Sequence, residues 1–260
     1  RLIMVPASFA LEVENPGRYR LQAAWLLDYA LERARRAGVR AILVLDSFES
    51  LAGGWPDSPY NVANGGPCSA PEDFWTHPGA RTLFKRRVRY IAARWGYSSQ
   101  ILAWELWRDV DRVPGADDPA VRQAIIDWHA DILAWLDAMD PRDHLVTTSL
   151  AWPGLGVGEW SGTGLWSLPG LDFLTVHLYD LAPTDQSVTS YMAFQTAITQ
   201  KPHLVEELAV SATSGAETLA HDPNHYGLHN AIWGALMGGG VGAAMSWWWN
   251  DYVAVNDLFD

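Results

Sequence analysis

The chain has one cysteine and two lysines among 260 residues, and each scarcity removes a class of protein. Cys68 alone cannot close an internal disulfide, so cysteine says little about compartment. Lysine and arginine number 18 against 30 acidic residues, a net charge of −12. That balance excludes nucleic acid and anionic membrane as partners, because both require basic surface. No Gly-x-Gly-x-x-Gly follows an apolar run, so the phosphate loop of a dinucleotide fold is missing. No histidine or cysteine group has zinc spacing, and nothing in the longer loops marks a calcium site; neither metal nor cofactor is expected. The opening RLIMVPASFALEVENPG lacks the basic start and long apolar core of a cleavable signal. One uncharged stretch, residues 231–249, is long enough for a bilayer, but the three glycines at 238–240 break any helix there. A helix, a turn and a buried strand are expected instead of a membrane span.

What is present is globular: 49% hydrophobic and 18% charged, with 15 tryptophans. Short apolar runs alternate with helical stretches from end to end. Strands are expected at 2–6, 41–46, 101–107, 144–150, 172–179, 203–208 and 241–249. Helices are expected at 19–38, 79–96, 118–139, near 185–199 and near 225–237. Arg33, Arg35 and Arg36 favour the end of the first helix and a glycine follows it. Such alternation implies a parallel sheet with right-handed crossovers. The expectation is an α/β chain, a (β/α)8 TIM barrel in one domain over 1–260, with its first βα unit missing upstream. Such a chain would be a fragment of a longer protein, and other segments or subunits would supply the missing strand. A seven-stranded or open sheet is the alternative. Loops 47–78 and 151–171 both follow strands, which places them on the C-terminal rim, where barrel chemistry sits.

The strand tips then present Asp46, Asp109, His177, Tyr179, Glu206, Glu207 and the tryptophans at 247–249. Two carboxylates on different strands, with flat rings around them, suit glycoside hydrolysis: an acid, a nucleophile or base, and surfaces for sugar faces. Glu206, on the opposite pleat from Glu207, reads as a partner for scaffold groups. Trp25, Trp128 and Trp135 lie on helices and read as core. Trp152, Trp160 and Trp166 are candidate sugar-stacking rings in a glycine-rich loop.

The chain resembles the retaining β-glycosidases with (β/α)8 barrels, and within them the cellulase-like glycoside hydrolase family 5. WELWRDVD (104–111) is similar to that family's Trp-Glu-Leu-x-Asn-Glu, whose last glutamate is the acid/base; this places Asp109 at that position. KPHLVEELA (201–209) is similar to the strand that carries the nucleophile, implied here as Glu207. The His-x-Tyr of that family matches His177 and Tyr179, and its sugar platform matches Trp247 and Trp249. Arg1 matches an arginine that supports the nucleophile. SPYNVANGGP and RYIAARWGYS also resemble segments of extracellular relatives, so the resemblance implies an extracellular protein acting on a β-linked poly- or oligosaccharide.

The departures carry as much information. Arg108-Asp109 stands where the family has Asn-Glu, Phe48 where a histidine enters the cleft, and Leu208-Ala209 where Phe-Gly follows the nucleophile. Aspartate is one methylene shorter than glutamate, which withdraws its carboxylate by roughly 1.3–1.5 Å. A neighbouring arginine favours the ionised form, whereas a general acid must be protonated. The expectation is a degenerate acid/base motif in a catalytically silent barrel that binds saccharide or serves as a structural subunit, with Arg108 clustered on Asp109 and Glu207. The alternative is an active β-glycosidase using Glu207 as nucleophile and Asp109 as acid/base.

Overall fold

The apolar runs become short parallel strands, and the helical stretches become the crossovers between them. The computed structural model describes residues 1–4, 9–13, 15–151, 160, 164–180, 184–243 and 246–258. The chain forms two compact units: Arg1–Thr148 with Thr163–Leu171, and Ser149–Gly162 with Asp172–Asp260.

The first unit holds a four-stranded sheet in chain order, β1 (Leu2–Ile3), β2 (Ala41–Val44), β3 (Ile101–Glu105) and β4 (Leu145–Thr147), every pair parallel. Helices α1 (Leu21–Arg36), α2 (Pro78–Trp95) and α3 (Pro119–Met139) join successive strands, as parallel pairing requires. Proline opens both α2 and α3, and the preceding His77 and Asp118 side chains accept from Gly79 and Ala120 N–H. These are N-terminal caps in the expected chemistry. Between α2 and α3 the core is aromatic: Phe74, Trp75, Phe84, Trp107 and Trp128 are all fully buried and meet edge to face or tilted. Such pairs add about 0.5–1.5 kcal/mol each beyond area burial.

The second unit repeats the plan with β5 (Ser149–Leu150), β6 (Leu174–Leu178), β7 (His203–Leu208) and β8 (Gly242–Ala243), again parallel and in chain order. Helix α4 (Thr184–Thr199) links β6 to β7, and α5 (Gly215–His221) and α6 (Tyr226–Met237) precede β8. Helix α6 lies against α4 at Gly234 and Gly238, where a Cβ would come within 2.9 Å of the Asp185 carbonyl oxygen and 2.6 Å of that of Thr189. Only glycine permits that approach.

Several expectations change. The single strand read at 144–150 is two pieces, β4 and β5, with Thr148 between them donating its hydroxyl to the Trp107 carbonyl oxygen. Among the described residues, the strand read at 241–249 is represented by Gly242–Ala243 and a bridge at Ser246, and a wide turn of π type takes over at Trp249–Ala254. Helix α5 was not legible. Loop 47–78 carries internal structure that the sequence did not show: short 3-10 turns organise it, and Leu51, Tyr60, Cys68, Phe74 and Trp75 bury there. Within SPYNVANGGP, the Asn61 and Asn64 amides donate to backbone carbonyls of Trp55, Pro56 and Ser58, which explains the motif as an internal staple. Trp128 is core as read, but Trp25 is 58% exposed and stacks on Tyr29. It falls on the Leu21–Trp25–Tyr29 stripe, while α1 buries Ala23, Ala24, Leu27 and Leu31. No helix among the described residues is long and apolar enough to cross a membrane.

Candidate active site

Residue Glu207 stands near the C-terminal end of β7, 4% exposed. Tyr179, one residue beyond β6, donates its phenol to Glu207 Oε2 at 2.6 Å. His177 lies on β6 itself, with Nδ1 3.4 Å from Glu207 Oε2 and Nε2 3.5 Å from Glu206 Oε2. One imidazole reaching two consecutive residues of a neighbouring strand contradicts simple alternation, in which Glu206 and Glu207 point to opposite faces. The register explains it. Val176 pairs with Val205 but His177 pairs with Glu207, so Glu206 is the extra residue of a bulge. A bulge re-aims side chains and is common beside functional sites. Glu206 therefore belongs to the cluster and is not merely a scaffold partner.

The aromatic candidates sit alongside. The backbone N–H of Trp247 donates to the carbonyl oxygen of Leu208, the residue after Glu207, at 2.7 Å. Trp247 and Trp249 are 42% and 50% exposed. Half-exposed indoles offer the flat apolar surface a pyranose face stacks on. Trp152 falls outside the described residues; Trp166 is buried at 1% and belongs to a core, which removes it from the sugar-stacking candidates.

In the first unit, β3 ends at Glu105, so Arg108 and Asp109 stand beyond the strand tip where they were expected. The chain nevertheless continues beside β2: Arg108 N–H donates to the Asp46 carbonyl oxygen at 2.9 Å, and Phe48 N–H to that of Arg108 at 3.0 Å. Asp109 then takes a left-handed backbone, φ 53°, and starts a short turn over Val110–Arg112. Aspartate is one of the few residues that tolerate that conformation. Its side chain is buried, with Oδ2 3.6 Å from Arg108 Nη2. Arg108 also pairs with Glu49, and its guanidinium stands over the Phe48 ring at 5.8 Å, with that of Arg112 at 4.4 Å. Glu49 was missed from sequence; the only signal was its place in DSFES just after β2. Arg1 Nη1 lies 3.7 Å from Glu105 Oε2.

Asp46, another strand-tip candidate, is engaged structurally. It accepts from Arg87 Nη1 at 2.8 Å, from Ser47 N–H at 2.8 Å and from the Ser50 hydroxyl at 2.6 Å. Arg87 also donates to the carbonyl oxygens of Met4 and Leu45. Burial alone would lower the Arg87 guanidinium, but Asp46, Tyr60 and Glu12 outweigh it and hold the cation firmly. Among the described residues no cluster of three or more histidine, cysteine or carboxylate side chains forms a metal site.

The fold just described has its counterparts among TIM-barrel glycosidases. The exo-β-1,4-mannosidase Op5Man5 from an Opitutaceae bacterium superposes with a TM-score of 0.61 at 15% identity, over 90% of this chain and 42% of that one. Endo-glycoceramidase II from a Rhodococcus species does so at 0.59 and 16%, over 90% and 61%. The expected α/β, (β/α)8-type fold is therefore the fold of this chain. In sequence the chain is similar to mannan endo-1,4-β-mannosidases, in line with the resemblance to glycoside hydrolase family 5 that its motifs carry. It is 28% identical over 270 residues to mannan endo-1,4-β-mannosidase 7 of Arabidopsis thaliana, covering 90% of this chain and 61% of the relative. With mannan endo-1,4-β-mannosidase A of Aspergillus aculeatus it shares 29% identity over 203 residues, 72% of this chain and 51% of the relative. The chain thus spans between half and two thirds of these relatives. No family model matches it.

Proposed function

We propose that this chain is the saccharide-binding barrel of a glycosidase-like protein directed at β-1,4-linked mannan, with its nucleophile half retained and its acid half degraded. The observation that carries the reading is the contrast between the two carboxylates. Glu207 keeps a tyrosine donor at 2.6 Å and a histidine at 3.4 Å, and exposed indoles follow beyond the end of the next strand. Asp109 is buried beside a guanidinium, which stabilises the anion where a general acid must hold a proton.

In this reading Glu207 attacks the anomeric carbon of a bound sugar, forming a glycosyl ester as the bond to the leaving oxygen breaks. Tyr179 orients the attacking carboxylate. Asp109 occupies the acid position but delivers a proton poorly, so departure depends on the leaving group's own acidity. An aryl glycoside needs little protonation, so the ester forms and water then hydrolyses it to free Glu207; an oligosaccharide is held and released intact. The relatives named for mannan supply the substrate class, and their plant and fungal sources fit the extracellular setting expected from sequence.

The test is the double reversion Arg108→Asn with Asp109→Glu, assayed on aryl β-mannosides and on unactivated β-1,4-mannan oligosaccharides. General acid catalysis contributes about 10²–10⁴-fold, so a gain of that order on the unactivated substrates is expected. Ordinary glycosidase rates from the unaltered protein on oligosaccharides would show Asp109 to be a competent acid. Failure of the unaltered protein to bind any β-1,4-mannan oligosaccharide would defeat the saccharide reading itself.

A further inference from the structure

Within the second unit a separate polar network ties the loop after β7 to the loop after β8. Tyr252, 1% exposed, donates its hydroxyl to Asp222 Oδ2 at 2.9 Å, and His225 Nδ1 lies 3.2 Å from the same phenol oxygen. Asp222 is itself fixed, accepting from the N–H groups of Tyr226 and Gly227 at the start of α6, at 2.9 and 2.7 Å. Two further contacts reinforce the tie. The Trp248 indole N–H donates to the Ser211 carbonyl oxygen at 2.8 Å. A Cβ on Gly215 would sit 2.8 Å from the Asp251 carbonyl oxygen, so the start of α5 abuts the backbone of the Trp249–Ala254 turn. That turn is wide: Val253 N–H reaches back five residues to the Trp248 carbonyl oxygen, at 3.3 Å. Turns of this type are rare and frequently mark functional sites.

The network brackets the exposed indoles. Trp248 points inward to its anchor, while Trp247 before it and Trp249 after it stay 42% and 50% exposed. Tyr252 is the buried root of the segment, its N–H bonded to the Trp248 carbonyl oxygen at 2.7 Å. Burial, and then the Asp222 carboxylate, push its phenol well above the ordinary range, so it remains a hydrogen-bond donor at every working pH.

We propose that Tyr252, held by Asp222 and His225, is a positioning residue for the Trp247 and Trp249 rings, setting the pitch at which they meet a saccharide. The inference rests on the saccharide-binding reading of this chain. Its physical content is preorganisation: rings already held at the bound pitch lose little freedom on binding, whereas rings on a loosened loop must be ordered by the ligand. Tyr252→Phe deletes one oxygen and leaves the ring packing in place.

The experiment measures the dissociation constant for a β-1,4-mannan oligosaccharide by calorimetry. It compares the unaltered protein, Tyr252→Phe, the Trp247→Phe/Trp249→Phe pair, and all three changes together, with folding checked by circular dichroism. The expected result is a loss of about tenfold in Tyr252→Phe, the scale of one hydrogen bond to a charged group. That loss shrinks to about twofold or less when both indoles are already phenylalanine, because coupled residues are not additive. Should Tyr252→Phe fail to fold, Trp248→Phe, which removes the indole donor to Ser211, replaces it throughout. Unchanged affinity in the folded variant, or a loss that persists in full without the indoles, overturns the proposal. An unaltered protein that binds no oligosaccharide removes the saccharide reading and this inference with it, an outcome distinct from either.

Discussion

The Tyr179 phenol and the Glu207 carboxylate, 28 residues apart in the chain, meet at 2.6 Å. The contact joins neighbouring strands at the point where a bulge has shifted their register. If Glu207 is the nucleophile, Tyr179→Phe lowers turnover of an aryl β-mannoside by about tenfold to a hundredfold, in line with losing one donor to a reacting carboxylate. Glu207→Gln lowers it by more than about 10³-fold. It also abolishes covalent labelling by an activated 2-fluoro glycoside, which intact-protein mass spectrometry reads directly. Labelling of Glu207→Gln at the rate of the unaltered protein would place the nucleophile elsewhere.

Arg108 and Asp109 should revert non-additively. Asp109→Glu alone restores reach but leaves the guanidinium beside the carboxylate; Arg108→Asn alone removes the cation but leaves the shorter side chain. Neighbours in one charge network couple by about 0.5–3 kcal/mol. The double reversion is therefore expected to exceed the product of the two single gains on unactivated oligosaccharides. A product equal to the double would mean that the cation and the reach act independently.

Arg87 tests the scaffold beneath the rim. It is buried, ion-paired with Asp46 at 2.8 Å, and caps the carbonyl oxygens of Met4 and Leu45 near the ends of β1 and β2. Removing one partner of a buried pair leaves an uncompensated charge, typically a cost of about 3–5 kcal/mol. Arg87→Met should lower the urea midpoint accordingly, and the companion change Asp46→Asn in the same chain should recover part of the loss. A midpoint unmoved by Arg87→Met would show that the pair contributes nothing net.

Two buried histidines give the stability a pH dependence. Burial lowers the imidazoles of His129 and His203 from 6.5 to about 4. Each folded value lies below the unfolded one, so the unfolded chain takes up the proton first. The stability they contribute is complete above about pH 6.5 and is lost as pH falls toward 4, on the order of 3 kcal/mol each at most. Glu12, raised by its own burial, works in the opposite direction. Urea midpoints should therefore fall between pH 6.5 and 4, and less steeply in His129→Gln. A midpoint independent of pH across that window would remove both histidines from the account.

What the sequence determined by itself was whatever depends on period and chemistry within a few residues. The alternation of apolar runs with amphipathic stretches marked the sites of β2, β3, β6, β7 and the helices α1, α2, α3, α4 and α6, because burial on one or both faces imposes those periods. The placement of Glu207, His177 and Tyr179 at or beside strand ends was legible too. Only the tertiary structure decided how side chains meet across strands. The bulge that brings Glu206 and Glu207 to one imidazole is a property of a pair of strands, and neither strand's pattern records it. The left-handed backbone at Asp109, the Glu49 partner of Arg108 and the turn that replaces the end of the last strand likewise arise from neighbours distant in the chain. Trp25 and Trp166 show the same limit from opposite sides, one read as core and found exposed, the other read as a sugar-stacking ring and found buried. A large aromatic side chain is stable in either setting, and the surrounding packing decides which it occupies.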